Sequence, residues 1–412
     1  MHTDKKIILN TFYQMIGKVS TSIFGVIGFA FIARFLQNQL SEYALITSFV
    51  GFIVVFADFG LGTLLTREVA AKRADDKYIS YIFTLRLIFS IVASFIGGIV
   101  IFFFPYSMTV KIGIVILSFA NVFYLLSSTI WAIFQAEIRF EKTVIAQVIS
   151  SFVTCILIIL VVFLKLPLLF FIIVPSIGLV LSFVITYFLY PGAIPFMINI
   201  RKFKKILRDA WPLAAGVLAS VLYFKIDSLI LPYFYNPSSH PDLGLYSTAY
   251  KIFEVAIVFG GFYITTLFPI FSANLYKKNF VNQFRKYLIY TIFLALAGNI
   301  ILFVFARIFI LIIAGNSFLP AVASLQILSF AAMATILSGF FMTIGIAGGK
   351  QLFILKFSVI VAMINVMLNL LIIPKYSFIG ASWTTLITQL LILIGGIYVT
   401  FLVLKDNNRK LI

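Results

Sequence analysis

Long apolar segments follow one another along the sequence, and they constrain the fold more than any other feature. We identify about 12 of them, each near the roughly 20 residues that a helix needs to cross a bilayer. The chain is 62% hydrophobic and 11% charged, whereas soluble proteins carry about 25% charged residues. The sequence therefore predicts an all-α, polytopic membrane protein. The predicted spans are 12–35, 43–66, 79–104, 110–134, 143–164, 168–190, 211–233, 246–272, 287–314, 320–346, 352–373 and 379–404.

Basic residues are distributed unevenly between the loops on the two sides of this predicted bundle. The side that holds both termini has 22 Lys and Arg residues and the other side has 3. Such an excess marks the cytoplasmic loops, so we predict cytoplasmic termini and a multi-pass protein of the cell membrane. Topology thus accounts for the net charge of +18 without a nucleic-acid partner. The poorer side holds Lys111, Lys165 and Lys375.

The residue types that most enzymes and metalloproteins need are scarce. Cys155 is the only cysteine, and the two histidines, His2 and His240, lie far apart in a tail and a loop. These counts exclude a disulfide within the chain and a Cys- or His-based metal site. The loops are short, and the sequence has no GxxxxGK[ST] phosphate loop. We therefore predict a transporter and not an enzyme, without cofactor or metal, driven by an ion gradient, the membrane potential or the substrate gradient.

Two similar stretches indicate an internal repeat. Glu42-Tyr43-Ala44 leads into LITSFVGFIVVF, and Leu245-Tyr246-Ser247 leads into TAYKIFEVAIVF, at an offset of 203 residues. Each stretch opens the second span of its half, although chance similarity between two Phe/Ile/Val-rich helices is the alternative explanation. Repeats are the usual architecture of secondary transporters, with the substrate site between them. We predict two six-helix lobes, residues 1–200 and 201–412.

Several charged residues lie inside predicted spans. The span that begins at Trp211 carries both Lys225 and Asp227, and each charge at bilayer depth costs on the order of 2.5–3.5 kcal/mol on insertion scales. Such residues usually face the protein interior or a wet cavity. The cations within spans are Lys18, Arg86, Lys225, Lys251 and Arg307, and the carboxylates are Asp58, Asp227 and Glu254.

The imbalance between these charges predicts an anionic substrate. Structural ion pairing is the alternative, and Lys251 and Glu254 have the three-residue spacing of a helical pair. Three carboxylates, however, leave about two of the five cations without partners, and a buried cation is unfavourable unless an anion or water meets it. Because Lys and Arg suit phosphate groups, we assign the five cations to a cationic substrate cavity. Asp58, Asp227 and Glu254 are the candidates for proton or Na⁺ coupling or for charge pairing.

A family resemblance agrees with this reading. NTFYQMIGKVSTSIFGVIGFAFIARFL and EYALITSFVGFIVVFADFGLGTLLTREVA, followed by KIDSLIL, GLYSTAYKIFEVAIVFGGFYITTLFPIFS and NLLIIPKYSFIGASWTTLITQ, resemble prokaryotic polysaccharide repeat-unit flippases of the O-antigen and capsule type. These belong to the multidrug/oligosaccharidyl-lipid/polysaccharide exporter superfamily. The resemblance covers nearly the whole chain, but its degenerate motifs identify a superfamily better than a substrate.

The resemblance implies two six-helix, MATE-like lobes, a V-shaped cationic cavity and alternating access. It also implies an oligosaccharide substrate on a polyprenyl pyrophosphate carrier, moved to the outer leaflet for surface polysaccharide biosynthesis. Membrane lipids, a polysaccharide polymerase and glycosyltransferases are the expected partners.

Three other functions are compatible with a similar architecture. A multidrug/cation antiporter of the same fold would prefer an acidic cavity, whereas cations dominate here. A membrane glycosyl polymerase or ligase would be expected to carry a substantial external loop, and the longest predicted one is only 236–244. A flippase for the cell-wall precursor generally has two further helices, so we rank it lower.

Overall fold

The computed structural model describes residues 2–277 and 279–411, and the side chains of residues 12–277 and 279–406. All regular secondary structure within these ranges is helical, which confirms the predicted all-α class. The helices are α1 His2–Leu36, α2 Leu40–Asp58, α3 Leu61–Ala70, α4 Asp76–Val100, α5 Met108–Ala136, α6 Phe140–Phe163, α7 Phe170–Leu189, α8 Ile200–Lys225, α9 Asp227–Phe234, α10 Asp242–Asn274, α11 Phe280–Val304, α12 Ala306–Ile313, α13 Ala321–Ala347 and α14 Gln351–Leu411.

Ten segments in the described part of the chain are long and apolar enough to cross a membrane. The first, Phe12–Asp58, contains α1 from Phe12 onward and all of α2, and the last, Gln351–Asp406, contains α14 as far as Asp406. At a rise of about 1.5 Å per residue, each of these two segments is long enough to cross a hydrocarbon core about 30 Å thick twice. The chain turns at Gln37 and Ser377, whose φ values are 44° and 48°. These ten segments therefore accommodate the 12 predicted spans, and the protein is a multi-pass membrane protein.

Three predicted spans are not single helices, which corrects their expected continuity. The span 43–66 breaks between α2 and α3, 211–233 breaks at Ile226, and 287–314 breaks at Phe305. At the first break, Phe59 and Gly60 both have positive φ, 45° and 70°. A Cβ on Gly60 would lie 2.7 Å from the backbone nitrogen of Ala214, so a close approach of two backbones fixes this break. Hydrophobicity alone does not reveal such a contact.

Contacts divide the chain into two compact units. Unit 1 comprises Met1–Leu218 and Pro237–Ser239, and unit 2 comprises Ala219–Asn236 and His240–Ile412. The division falls inside α8, so residues 200–218 of this helix belong to unit 1 and residues 219–225 to unit 2. The predicted lobe boundary at residue 200 stays a prediction.

The packing order of the helices is the same within each unit. In unit 1, α2 and α4 pack on α5, α5 packs on α7, and α1 packs on α6. In unit 2, α10 and α11 pack on α13, α13 packs on α14, and α9 packs on α14. The two stretches that suggested the repeat lie in α2 and α10, which occupy equivalent places in this order. The packing therefore supports an internal repeat.

Each unit has its own apolar core. In unit 1, α3, α4 and α5 contribute buried side chains such as Leu64, Ile82 and Phe134, and Ile206 of α8 joins the same cluster. In unit 2, a smaller cluster around Phe271 and Phe340 joins α10 to α13. These close-packed cores hold together helices that also carry charged side chains.

Candidate functional site

Arg86 of α4 is the most deeply buried of the predicted cations. Its side chain is 2% exposed and forms an ion pair with Asp58, the last residue of α2, through Nη2. Its Nη1 donates to three oxygens of α5: Ser128 Oγ at 3.0 Å, Thr129 Oγ1 at 2.9 Å and the carbonyl of Leu125 at 3.3 Å. One guanidinium group thus joins three helices of unit 1.

The break after α2 makes room for this guanidinium. Asp58 immediately precedes the left-handed residues Phe59 and Gly60, and Gly62 follows in the first turn of α3. A Cβ on Gly62 would lie 2.5 Å from Nη2 of Arg86, so the missing side chain is what permits the approach. Asp58 remains 23% exposed, and the ion pair therefore reaches the surface of the unit only through its carboxylate.

Glu254 of α10 lies between two lysines in unit 2. Its Oε1 is 3.0 Å from Nζ of Lys225, and its Oε2 is 3.6 Å from Nζ of Lys251. The ion pair of Lys251 and Glu254, which the sequence offered as the alternative to a substrate site, is therefore present. Lys225, the last residue of α8, pairs with the same carboxylate. All three side chains are partly exposed, at 47% for Lys225, 34% for Lys251 and 30% for Glu254.

This arrangement, which we call the lysine triad (Lys225, Lys251 and Glu254), has an unbalanced charge. Two ammonium groups share one carboxylate, which leaves a formal charge of +1 when all three groups are ionised. Ammonium groups are compact cations with three donors each, and those of the triad are not enclosed by the unit. The triad can therefore accept an additional anion without losing its own ion pairs.

Asp227 has a different environment, although it lies only two residues from Lys225. It is 1% exposed and is the first residue of α9. Its Oδ1 accepts from the backbone N–H of Ser228 at 2.6 Å and from Ser228 Oγ at 3.2 Å, and its Oδ2 accepts from Tyr246 Oη and from Thr385 Oγ1 at 3.1 Å. No cation pairs with it among the side chains described. Hydroxyl groups and the N-terminus of α9 are what offset its charge.

A network of amides and hydroxyls lies beside this carboxylate in α14. Asn365 donates to Thr388 Oγ1 at 2.7 Å, and Thr384 donates to Asn369 Oδ1 at 2.6 Å. All four side chains are buried, and they join the two halves of α14. Thr385, the neighbour of Thr384, is the donor to Asp227, so the carboxylate and the network share one helical turn.

Lys18 of α1 and Arg307 of α12 are the remaining predicted cations. Both are exposed, and neither forms an ion pair with another described side chain. The eight predicted residues thus comprise an ion pair in unit 1, the lysine triad in unit 2, the separate Asp227, and two exposed cations. A single cavity that collects all of them stays a prediction.

Sequence reasoning missed the uncharged partners of the charged residues. Tyr246 and Thr385 bind Asp227 from 19 and 158 residues away, and Ser128 and Thr129 bind Arg86 from 42 and 43 residues away. Tyr246 belongs to one of the repeated stretches, which was the only signal that could have drawn attention to it. Hydroxyl residues are otherwise common in membrane helices as packing and hydrogen-bonding groups.

Comparison with known proteins agrees with this architecture. A family model described as "Polysaccharide biosynthesis protein" matches residues 7–275, well over half of the chain. The capsular polysaccharide biosynthesis protein CapF of Staphylococcus aureus is 30% identical over 208 residues, which cover 48% of this chain and 50% of CapF. The match thus spans about half the length of that curated relative.

Two solved structures are similar over nearly the whole chain. Lipid II flippase MurJ, in an inward closed conformation, has a TM-score of 0.77 at 17% identity and covers 95% of this chain and 88% of its own. An inward-facing multidrug resistance MATE family transporter of the MOP superfamily has a TM-score of 0.71 at 13% identity, with 94% and 96% covered. At these identities the likeness establishes the fold, which is MATE-like as expected. The family resemblance found in the sequence is confirmed: the chain belongs to the polysaccharide biosynthesis protein family.

Proposed function

We propose that this protein is a flippase for oligosaccharides linked to polyprenyl pyrophosphate, which it moves from the cytoplasmic to the outer leaflet for surface polysaccharide biosynthesis. The observation that carries the proposal is the lysine triad, in which two partly exposed ammonium groups share the single carboxylate of Glu254. The family and the fold of the chain agree with a transporter of this class.

The chemistry of the triad favours a phosphate-bearing headgroup. Lys225 and Lys251 lie within segments that are long and apolar enough to cross a membrane, where an unpaired cation is unfavourable. A pyrophosphate supplies the missing negative charge and several acceptor oxygens for charge-assisted hydrogen bonds. A neutral sugar supplies acceptor oxygens but no negative charge, and a cationic drug adds positive charge. The triad therefore recognises the pyrophosphate of the polyprenyl carrier, and the sugars form less specific contacts.

Alternating access and the membrane potential account for the direction of transport. The cationic residues accept the headgroup from the cytoplasmic side while the polyprenyl chain stays in the bilayer. Carrying one negative charge outward through 100 mV, inside negative, is favourable by roughly 2.3 kcal/mol. A headgroup that keeps a net negative charge is thereby driven outward. In this proposal the protein lies in the cell membrane with cytoplasmic termini, between the glycosyltransferases that make its substrate and the polymerase that consumes its product.

Asp227 is the strongest candidate for ion coupling among the three carboxylates. Asp58 is already paired with Arg86, and Glu254 with two lysines. Asp227 is buried and has only neutral hydrogen-bond donors around it. The hydroxyl oxygens of Tyr246 and Thr385 lie beside its carboxylate and 3.1 Å from each other. A buried carboxylate without a cation is stabilised by taking up a proton or a small cation. Binding of H⁺ or Na⁺ at Asp227 would thus stabilise one transport state over another.

The experiment is a flipping assay in liposomes with a fluorescent polyprenyl-pyrophosphate oligosaccharide. We expect transport by the wild type, strong loss in Lys225→Ala and Lys251→Ala, and normal transport in Lys405→Ala, which removes an exposed lysine at the end of α14. Equal activity of all three variants would remove the triad as the substrate site. Transport of a cationic drug without flipping would instead establish the antiporter function.

A further inference from the structure

The first turns of α8 have two chemically distinct faces. Ile206 and Ala210 are 2% and 0% exposed and belong to the core of unit 1, and Phe203 and Leu213 pack against the same core. These positions recur at the three- and four-residue spacing of one helical face. The remaining surface of these turns carries five exposed basic side chains, which we call the basic face: Arg201, Lys202, Lys204, Lys205 and Arg208.

Contacts with α4 fix the orientation of this segment. The rings of Phe203 and Tyr81 meet edge to face with centroids 6.3 Å apart, and the rings of Phe196 and Phe83 lie 5.9 Å apart. Just before the helix begins, the backbone N–H of Met197 donates to Thr84 Oγ1 at 3.0 Å. The segment is therefore held on both sides of its start, and the basic face points away from unit 1.

Large apolar side chains flank the basic face and are also exposed. Ile198 is 76% exposed, Ile200 68% and Trp211 59%. In a segment surrounded by water, the exposure of large Ile and Trp side chains would be unfavourable. Basic residues flanked by exposed Ile and Trp are, by contrast, the composition of helices that lie at the membrane interface.

The length of α8 locates the basic face relative to the bilayer. The helix has 26 residues, or about 39 Å at 1.5 Å per residue, and the hydrocarbon core is only about 30 Å thick. All five basic residues fall within its first nine positions. These turns therefore extend past the core into the headgroup region, where the exposed Ile and Trp side chains meet the acyl boundary.

We propose that the basic face binds the headgroups of anionic phospholipids in the adjoining leaflet. Five cations and a single carboxylate, Asp209, which lies 3.9 Å from Arg208, give the segment a strong positive excess. Lipid phosphodiesters complement it in charge, and juxtamembrane clusters of this kind attract anionic lipids. Because Ile206 and Ala210 remain packed in unit 1, the lipid binds a preformed surface and not a flexible tail.

Trp211 provides a local test that does not depend on transport. Wild type and Trp211→Phe are reconstituted in phosphatidylcholine vesicles that contain equal fractions of brominated phosphatidylglycerol or brominated phosphatidylcholine. The difference between the two proteins isolates the emission of Trp211. We expect stronger quenching by the anionic lipid, and loss of this preference at high salt, since salt screens exposed charges. Equal quenching by both lipids would overturn the proposal.

A matched pair of variants tests the basic face itself. Replacing Arg201, Lys202, Lys205 and Arg208 with Gln should abolish the preference for the anionic lipid. The control removes the same number of exposed charges from unit 2, by replacing Lys277, Arg285, Lys286 and Lys405 with Gln, and should keep it. Retained preference in the first variant, or equal loss in both, contradicts the assignment. A response of Trp211 to a polyprenyl pyrophosphate but not to phosphatidylglycerol would make this face part of the substrate path instead.

Discussion

Lys225 Nζ lies 3.0 Å from Glu254 Oε1, so the end of α8 and the middle of α10 are joined by an ion pair. Lys251 Nζ approaches the other oxygen of the same carboxylate at 3.6 Å. The carboxylate is shared, and the charge of the group is therefore set by three side chains. Changing any one of them changes this charge by one unit.

The affinity for a phosphate-bearing ligand should follow the charge of the lysine triad. We expect Glu254→Gln, which raises the formal charge to +2, to bind pyrophosphate more tightly than the wild type, and Lys225→Gln, at zero, to bind it more weakly. Titration calorimetry with inorganic pyrophosphate measures the order. Lys405→Gln, an exposed change outside the triad, should leave the affinity unchanged. Any other order of pyrophosphate affinities would show that the triad is not the anion-binding site.

Arg86 and Asp58 should behave as a buried pair in measurements of stability. Removing one partner of such a pair typically costs about 3–5 kcal/mol, since the other charge stays buried and uncompensated. We therefore expect Arg86→Met to lower the free energy of unfolding strongly, and the double variant Arg86→Met with Asp58→Asn to recover part of the loss. Thermal or detergent-induced unfolding measures both. Additive losses in the double variant would contradict a direct coupling between the two residues.

A Cβ on Gly62 would lie 2.5 Å from Nη2 of Arg86, so a side chain at this position should displace the guanidinium from its paired position. We expect Gly62→Ala to destabilise the protein by about 1–3 kcal/mol, the usual cost of overpacking. Gly25→Ala is the matched control, because a Cβ at this helical glycine meets nothing within 4 Å. That change should be neutral or stabilise the protein by up to about 1 kcal/mol. Equal effects at both positions would show that Arg86 moves aside freely.

Asp227→Asn should uncouple transport from its driving ion. The amide of Asn has the same size as the carboxyl group, but it carries no negative charge and does not take up or release a proton. We expect the variant to transport at a rate that no longer depends on pH or on Na⁺, while the wild type depends on one of them. Flux measurements across imposed gradients give the answer, with Asp58→Asn as the comparison. Unchanged ion dependence in Asp227→Asn would exclude this carboxylate from coupling.

Tyr246→Phe tests the shell around Asp227 without changing a charge. The phenol donates to Asp227 Oδ2 and lies 3.1 Å from Thr385 Oγ1. Its loss leaves a buried carboxylate with one donor fewer, which typically costs about 1–3 kcal/mol. Unfolding experiments should show this loss in the wild-type background and a smaller one in Asp227→Asn. The same loss in both backgrounds would mean that the hydroxyl stabilises something else.

The elements that the sequence determined depend on local patterns. Apolar segments of membrane length predict helices, because every backbone polar group in lipid must be satisfied within its own segment. The three-residue spacing of Lys251 and Glu254 offered a helical ion pair as the alternative to a substrate site, and the structure contains that pair. The packing shared by the two units follows the similarity between residues 42–56 and 245–259.

Tertiary structure determined which distant side chains are partners and where the helices break. Arg86 meets Asp58 across 28 residues, and Thr385 meets Asp227 across 158. Neither spacing carries a periodic signal, because these partners are selected by which helices pack together. The break at Gly60 likewise depends on the backbone of Ala214, far along the chain. Local sequence therefore determined which segments enter the membrane, and the packing of distant helices determined which charges are paired, which are shared and which stand among hydroxyl groups.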